Sequence, residues 1–303
     1  MTLSRRGLLR VGAGLAAAGV GGAAGVLGLA ATGNLGAVGG HLRREFRGAG
    51  PQALAPTIPA GQLTTGTFTS TLMRGRQIDY AISYPPGSAT ENAMPVVLAL
   101  YGRGANFRSL FEANDLALPQ YQAQAVAGGA APFAIATVEG GPTSYWHARA
   151  DGTDPQSMIA DELLPILAAR GLRTERIGLS GESMGGYGAL LLAERLGAGS
   201  VAGVALFAPA LFASYSASSP VAFDSVADYA AHDVFTGVPR LANVPIRIVC
   251  GRSDPFYSRV RQFVALPHQP PVETWYAEGG HDPAFWRTQC PAQLQFLAKH
   301  LST

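Results

Sequence analysis

The chain has 303 residues, of which 48% are hydrophobic, enough for one α/β domain with a sizeable core. Six of the 22 Lys and Arg, but only one of the 20 Asp and Glu, fall in residues 1–47, so the rest of the chain holds 16 bases and 19 acids. This weakly acidic remainder argues against nucleic acid as a partner.

The first 40 residues have the pattern of an export signal. Arg5 and Arg6 precede an uncharged stretch, residues 11–40, that is rich in Gly, Ala and Leu. A twin arginine before a weakly hydrophobic segment is typical of a Tat signal. A Sec signal and a permanent membrane anchor are the alternatives, because the stretch is long enough to span a bilayer. We expect export by the Tat pathway to the cell envelope or medium, with membrane contact only through an uncleaved signal.

Residues 41–65 contain three Pro and predict a linker, and residues 66–303 then alternate strand and helix patterns. Predicted strands are Thr67–Met73, Gln77–Tyr84, Pro95–Tyr101, Pro132–Val138, Arg176–Ser180, Val201–Phe207, Pro245–Cys250 and Val272–Ala277. Predicted helices lie around Ser109–Ala127, from Pro155 to Arg170, after Ser183, and at Asp224–Ala231, Tyr257–Ala265 and Pro283–Leu301. This order predicts a mostly parallel, doubly wound sheet with an antiparallel start. Residues 209–243 interrupt the alternation and predict a small helical cap.

A Gly-x-Ser-x-Gly pentapeptide, residues 181–185, marks the candidate nucleophile. The strand pattern that ends at Ser180 enters it, and a helix-forming segment follows it. Such a sequence predicts a sharp strand-to-helix turn that lifts the Ser183 hydroxyl above the sheet edge. Gly181 and Gly185 leave room for this turn. The alternative is a chance Gly- and Ser-rich turn.

A serine hydroxyl needs an imidazole to accept its proton. Of the six His, His281 alone lies on the loop directly after the last predicted strand, a Gly-rich loop that can direct its ring at Ser183. After a nucleophile elbow of this kind the orienting acid lies between serine and histidine in the chain. Asp254, which follows the penultimate strand, is the predicted acid, and Asp282 is its competitor. Asp233 is interpreted as the end of a helix.

An oxyanion hole needs two main-chain N–H groups close to the nucleophile. Met184, the residue after the nucleophile, is the first predicted donor. The loop after the third predicted strand supplies the second, with Arg103 preferred and Gly104 as the alternative. Three further residues are candidates for a substrate pocket, with packing beneath a loop as an equal alternative: Tyr101, Trp146 and His147.

Other polar residues are assigned structural roles, and we expect neither a metal nor another cofactor. Glu182, before the nucleophile, is predicted to be buried and hydrogen-bonded. The run Asp151-Gly152-Thr153-Asp154 hints at calcium, but a turn followed by a helix N-cap explains it better. Cys250 and Cys290 are the only cysteines, and they predict either a disulfide, which export would permit, or two buried thiols.

These motifs resemble the putative-esterase family of α/β-hydrolases, which includes S-formylglutathione hydrolases, feruloyl and acetyl-xylan esterases, and secreted mycolyltransferases. The resemblance covers roughly residues 66–302 and rests on Leu179–Leu190, on Asp254 after its strand, and on Gly280-His281-Asp282 before a helix with Phe285 and Trp286. It implies an α/β-hydrolase fold, a triad of Ser183, Asp254 and His281, and an oxyanion hole of Arg103 and Met184. Tyr101-Gly102 departs from the His-Gly or Ser-Gly pair often found in this loop, which leaves the second donor open.

The sequence therefore predicts an exported serine esterase that acts through an acyl-enzyme on a small-molecule, lipid or carbohydrate ester. An acyltransferase that moves the acyl group to a sugar or lipid hydroxyl is the first alternative, because it uses the same triad. A catalytically silent binding domain and a peptidase are more remote alternatives.

Overall fold

The computed structural model describes residues 50–88 and 93–302. The predicted signal in residues 1–40 lies outside the described residues, as do residues 41–49 of the predicted linker. The described strands are β1 (Leu63–Ser70), β2 (Arg76–Ser83), β3 (Met94–Leu100), β4 (Ala134–Val138), β5 (Leu172–Glu182), β6 (Val201–Phe207), β7 (Ile246–Gly251) and β8 (Glu273–Ala277). They form one sheet in the order β1-β2-β4-β3-β5-β6-β7-β8.

The sheet has the predicted antiparallel start and is otherwise parallel. Strand β1 pairs antiparallel with β2, and β2 pairs antiparallel with β4, whereas the remaining neighbours are parallel. Strands β3, β4 and β6 are buried at every residue. Continuous apolar runs of this kind suit strands that are covered by helices on both faces. The α/β fold class predicted from the sequence is confirmed.

The helices lie between the strands and at the end of the chain. They are α1 (Leu118–Ala127), α2 (Pro155–Ser157), α3 (Leu164–Ala169), α4 (Met184–Leu196), α5 (Val226–Ala231), α6 (Tyr257–Val264), α7 (Pro283–Arg287) and α8 (Cys290–Leu301). A π-helical stretch, Met158–Leu163, joins α2 to α3, and 3-10 turns occur at Ser109–Phe111, Tyr215–Ala217 and Val238–Leu241. Among the described residues, no helix is both long and apolar enough to cross a membrane.

The first strand begins earlier than predicted, inside the predicted linker. The turn after Ser70 ends it, since Arg74 and Gly75 have φ angles of 60° and 73° and the Gly75 N–H donates to Ser70 O at 2.8 Å. The described part of the linker packs on the domain: Ala53 N–H donates to Ala284 O, and Arg287 Nε donates to Ala53 O. The predicted Thr67–Met73 strand and the linker boundary at residue 65 are thus corrected.

Two further segments differ in detail from the sequence-based expectation. The predicted helix Pro283–Leu301 is divided into α7 and α8, and a proline in the first turn of α8 starts it afresh. Residues 209–243, the predicted cap, hold α5 and two 3-10 turns between β6 and β7. The segment begins directly at the elbow, where Ala210 N–H donates to Ser183 O at 2.9 Å.

Candidate active site

Ser183 is the single residue between β5 and α4, and it has a strained main-chain conformation. Its φ and ψ are +51° and −115°, a combination that a non-glycine residue adopts only under strong constraint. The turn leaves no space around it: a Cβ on Gly181 would lie 2.3 Å from Gly185 O, and one on Gly185 would lie 1.9 Å from Leu100 O. The two glycines therefore allow the close approach of β5, α4 and β3 that exposes the serine.

The His281 ring lies between Ser183 and Asp254. Its Nε2 is 2.9 Å from Ser183 Oγ, and its Nδ1 is 2.7 Å from Asp254 Oδ2. The Asp254 side chain is fully buried, and its Oδ1 accepts the Phe256 N–H at 2.8 Å. With the carboxylate on Nδ1, the imidazole carries its proton there and presents the Nε2 lone pair to the serine hydroxyl.

Contacts between two loops bring the acid beneath the histidine. Ser253 N–H donates to Gly279 O at 3.0 Å, which joins the loop after β7 to the loop after β8. A Cβ on Gly251 would lie 2.1 Å from Gly279 O, so this approach requires glycine at the end of β7. The rings of Phe256 and Trp286 meet the His281 ring edge-on, with centroids 5.4 and 4.8 Å away, and hold its orientation.

The competing acids have other partners. Asp282 caps α7, since its Oδ1 accepts the Phe285 N–H at 3.0 Å. Asp233 accepts the Phe235 N–H at 3.0 Å. Asp254 is accordingly the acid that the structure brings to His281.

Two predicted oxyanion donors lie on either side of the nucleophile. Met184 is the first residue of α4, where a main-chain N–H has no acceptor within the helix. In the facing loop, Gly104 N–H donates to Pro142 O at 2.8 Å and Gly102 N–H donates to Glu182 Oε1 at 3.0 Å. These bonds occupy the Gly102 and Gly104 amides, and Arg103 as the second donor stays a prediction.

A buried polar network that the sequence did not indicate anchors this loop. Tyr101 Oη donates to Glu139 Oε1 at 2.5 Å, and Phe107 N–H donates to Glu139 Oε2 at 3.3 Å. Burial, followed by the adjacent carboxylate of Glu139, raises the pKa of Tyr101, which keeps the phenol protonated as a donor. Glu182, buried as predicted, fixes the same loop from the elbow side.

The candidate pocket residues require a correction. Tyr101, Trp146 and His147 are all 0% exposed, so they pack beneath the loops and do not line an open pocket. Trp146 packs edge-on against Tyr101 with centroids 5.0 Å apart, and its Nε1 donates to Tyr101 O at 3.2 Å. Trp146 therefore supports the loop that carries Arg103 and fills the space left by Gly188, where a Cβ would lie 2.3 Å from it.

Two remaining sequence questions are resolved by geometry. Cys250 and Cys290 are free and buried, and burial raises the pKa of both thiols. Asp151 Oδ1 accepts the Thr153 N–H at 2.9 Å, and Asp154 Oδ1 accepts the Ser157 N–H at 3.0 Å. The predicted turn and N-cap are thus present in place of a calcium loop.

Proteins with this sheet and a serine at the turn after its fifth strand form the α/β-hydrolase class. Residues 70–300 match the family model described as "Putative esterase". The chain belongs to that family, and it is an esterase. No curated protein gives a significant match.

Several solved structures share the fold. A "ferulic acid esterase" has a TM-score of 0.67 at 18% identity, covering 81% of this chain and 100% of that one. An S-formylglutathione hydrolase from Agrobacterium tumefaciens has a TM-score of 0.65 at 18% identity, covering 83% and 99%. The fluorophosphonate-binding serine hydrolase F of Staphylococcus aureus has a TM-score of 0.65 at 15% identity, covering 79% and 99%.

Proposed function

We propose that the protein is a serine carboxylic-ester hydrolase that works through an acyl-enzyme, with Ser183 as nucleophile, His281 as general base and Asp254 as the residue that orients it. The observation that carries the proposal is the position of the His281 ring, 2.9 Å from Ser183 Oγ and 2.7 Å from Asp254 Oδ2. These are hydrogen-bond distances on both sides of one imidazole, as proton transfer from the serine requires.

The chemistry follows from this arrangement. His281 Nε2 takes the proton of Ser183 as Oγ attacks the ester carbonyl, and the Asp254 carboxylate stabilises the imidazolium that forms. The Met184 and Arg103 amides donate to the oxyanion of the tetrahedral intermediate, helped by the N-terminus of α4. The imidazolium then protonates the leaving alcohol. A water molecule, deprotonated by His281, attacks the acyl-enzyme and releases the acid.

The substrate belongs to the small-molecule, lipid or carbohydrate esters. Structural neighbours are named for esters of ferulic acid and for S-formylglutathione, and both names denote acyl compounds. An acyltransferase would use the same residues and replace water with a sugar or lipid hydroxyl. The acceptor separates these two reactions, so the assay must offer one.

Ser183→Ala is the direct test. The variant should lose turnover of activated esters and labelling by a fluorophosphonate, because both need the Oγ nucleophile. Ser253→Ala is the matched control, since Ser253 is an exposed serine on the loop that carries Asp254. Undiminished labelling of Ser183→Ala would show that Ser183 is not the nucleophile. If the wild-type protein shows neither labelling nor turnover, the catalytically silent binding domain becomes the better interpretation.

A chain-length series of p-nitrophenyl esters, with and without a sugar acceptor, then identifies the reaction. A hydrolase releases free acid at a rate that the acceptor does not change. Formation of an acylated sugar at the expense of free acid would show that the protein is an acyltransferase rather than a hydrolase.

A further inference from the structure

A cluster of two histidines and an aspartate lies between the segment before α2 and the predicted cap. His147 is 0% exposed, whereas Asp228, on α5, and His232, the residue that follows α5, are half-buried and four residues apart. His232 Nδ1 is 2.9 Å and His147 Nδ1 is 3.7 Å from the same atom, Asp228 Oδ1. The two imidazole rings are stacked with centroids 4.3 Å apart. None of the three belongs to the proposed triad.

The two hydrogen-bond partners of the His147 ring cannot both receive a proton from it when the ring is neutral. Its Nε2 is 2.8 Å from Ala222 O and its Nδ1 is 2.9 Å from Ala148 O. Both partners are carbonyl oxygens, which only accept, whereas a neutral imidazole has a single N–H. One ring nitrogen of neutral His147 must therefore direct its lone pair at an oxygen atom, an arrangement that a bound cation would relieve.

A neutral imidazole is the form of histidine that ligates metal ions.

We propose that His147 Nδ1, Asp228 Oδ1 and His232 Nδ1 bind a divalent transition-metal ion, with Zn²⁺ as the first candidate. Two imidazoles and a carboxylate are zinc ligands. Each of the three residues offers a ligand atom that lies within 4.8 Å of those of the other two. Tetrahedral zinc with bonds of about 2.0–2.1 Å sets its ligands about 3.3 Å apart, so small rotations of the rings close the site. Binding displaces the Nδ1 proton of His232, whose ring then carries its proton on Nε2.

The surroundings already orient two of the ligands. In the tautomer that donates the Nε2–H of His147 to Ala222 O, Nδ1 is left for the metal. Asp228 Oδ2 accepts the Asp224 N–H at 2.7 Å, which leaves Oδ1 facing the histidines. The ion would tie the cap to the segment 144–149, a connection that the Arg149–Asp224 ion pair at 2.7 Å also makes.

The sequence predicted no metal, because the ligands do not form a local motif. Asp228 and His232 have the i, i+4 spacing of a helical chelate, but the third ligand comes from a distant segment. Only the folded chain brings His147 to them.

Calorimetric titration of the chelator-treated, dialysed protein with ZnCl₂ tests the site. We expect one Zn²⁺ per chain, and a shift of the unfolding equilibrium toward the native state of about 100-fold at a free zinc concentration of 100 Kd. Asp228→Asn and His232→Ala should each weaken binding by at least about 100-fold, since even outer-shell partners cost roughly 10–100-fold. Circular dichroism checks that both variants fold.

Two controls address zinc bound elsewhere. His268→Ala removes a histidine that bonds Phe263 O outside the cluster, and His281→Ala removes the triad imidazole. Both should bind one Zn²⁺ as the wild type does. Absence of stoichiometric binding, or binding that survives Asp228→Asn and His232→Ala but is lost in His281→Ala, overturns the proposal.

Co²⁺ offers a second measurement that needs no variant. Bound in a site with two imidazoles and one carboxylate, Co²⁺ should give the intense visible absorption of a tetrahedral complex, and Zn²⁺ should displace it. A spectrum unchanged from that of aqueous Co²⁺ also overturns the proposal.

Discussion

Asp254→Asn separates the orienting role of this side chain from its packing. In the wild type, Asp254 Oδ1 accepts the Phe256 N–H at 2.8 Å while Oδ2 faces His281 Nδ1 at 2.7 Å. The Phe256 N–H still needs an acceptor in the variant, so the amide oxygen takes that position and the NH₂ group turns to His281. Nδ1 must then accept a hydrogen bond. The ring proton moves to Nε2, where it faces Ser183 Oγ and blocks proton abstraction.

The expected cost is large because the tautomer, rather than the shape of the site, has changed. The comparable substitution in a serine protease lowers kcat by about 10⁴, or roughly 5 kcal/mol of transition-state stabilisation. For this esterase we predict at least a hundredfold loss in kcat, on the order of 3 kcal/mol. The KM and the fold should change little, because the Asp254 side chain is fully buried behind His281.

Steady-state kinetics on a short-chain p-nitrophenyl ester measure the effect, with circular dichroism to confirm folding. Asp282→Asn and Asp233→Asn are the matched controls. Each should lose less than about tenfold, since Asn caps a helix nearly as well as Asp and accepts the same main-chain N–H. If one of these controls loses at least a hundredfold in kcat while Asp254→Asn retains the wild-type kcat, the triad assignment is wrong.

Two further predictions concern export and stability. Replacing Arg5 and Arg6 by Lys should leave the folded protein in the cytoplasm, because the Tat pathway recognises the arginine pair; normal export on cell fractionation would indicate the Sec route or membrane insertion. Burial raises the pKa of Glu194 from 4.5 to about 7, against the opposing hydrogen bond from Arg240. The stability linked to this raised pKa is fully present below pH 4.5 and is lost as the pH rises through 7, by about 3 kcal/mol. Urea unfolding at pH 5 and pH 8 should show this decline in the wild type and not in Glu194→Gln, and an equal decline in both would refute it.

The central strands were well predicted because continuous apolar runs are typical of strands that are buried on both faces. The run Val201–Phe207 is apolar throughout and forms β6 with the predicted bounds. Strand β1 was misplaced because it lies at the edge of the sheet, and most of its residues are exposed or half-buried. Alternation of apolar residues is weak in such a strand, so the Thr71–Gly75 turn was the better boundary signal.

The candidate site also contains residues whose positions were predictable from the sequence and residues whose positions were not. The proximity of Ser183, Asp254 and His281 was predictable because each follows a strand at the same edge of the sheet, and parallel strands bring their carboxyl ends together. The sequence left Trp146 and His147 undecided between a substrate pocket and packing, because it records that aromatic residues follow β4 but not which way the segment turns. Tyr145 and Trp146 have φ angles of 50° and 59°, a conformation that sequence did not indicate and that accompanies the burial of both rings.

Glu139 illustrates a class of residue that sequence reasoning does not reach. It stands at the end of β4 without any motif, yet it accepts hydrogen bonds from Tyr101 and from the Phe107 N–H. Glu182 accepts the Gly102 N–H from the opposite side. Two acidic side chains thus hold the loop around Arg103. If the Arg103 amide is the second oxyanion donor, as we propose, these carboxylates act on the reaction by fixing its position, because an oxyanion hole stabilises charge only where its donors are already fixed.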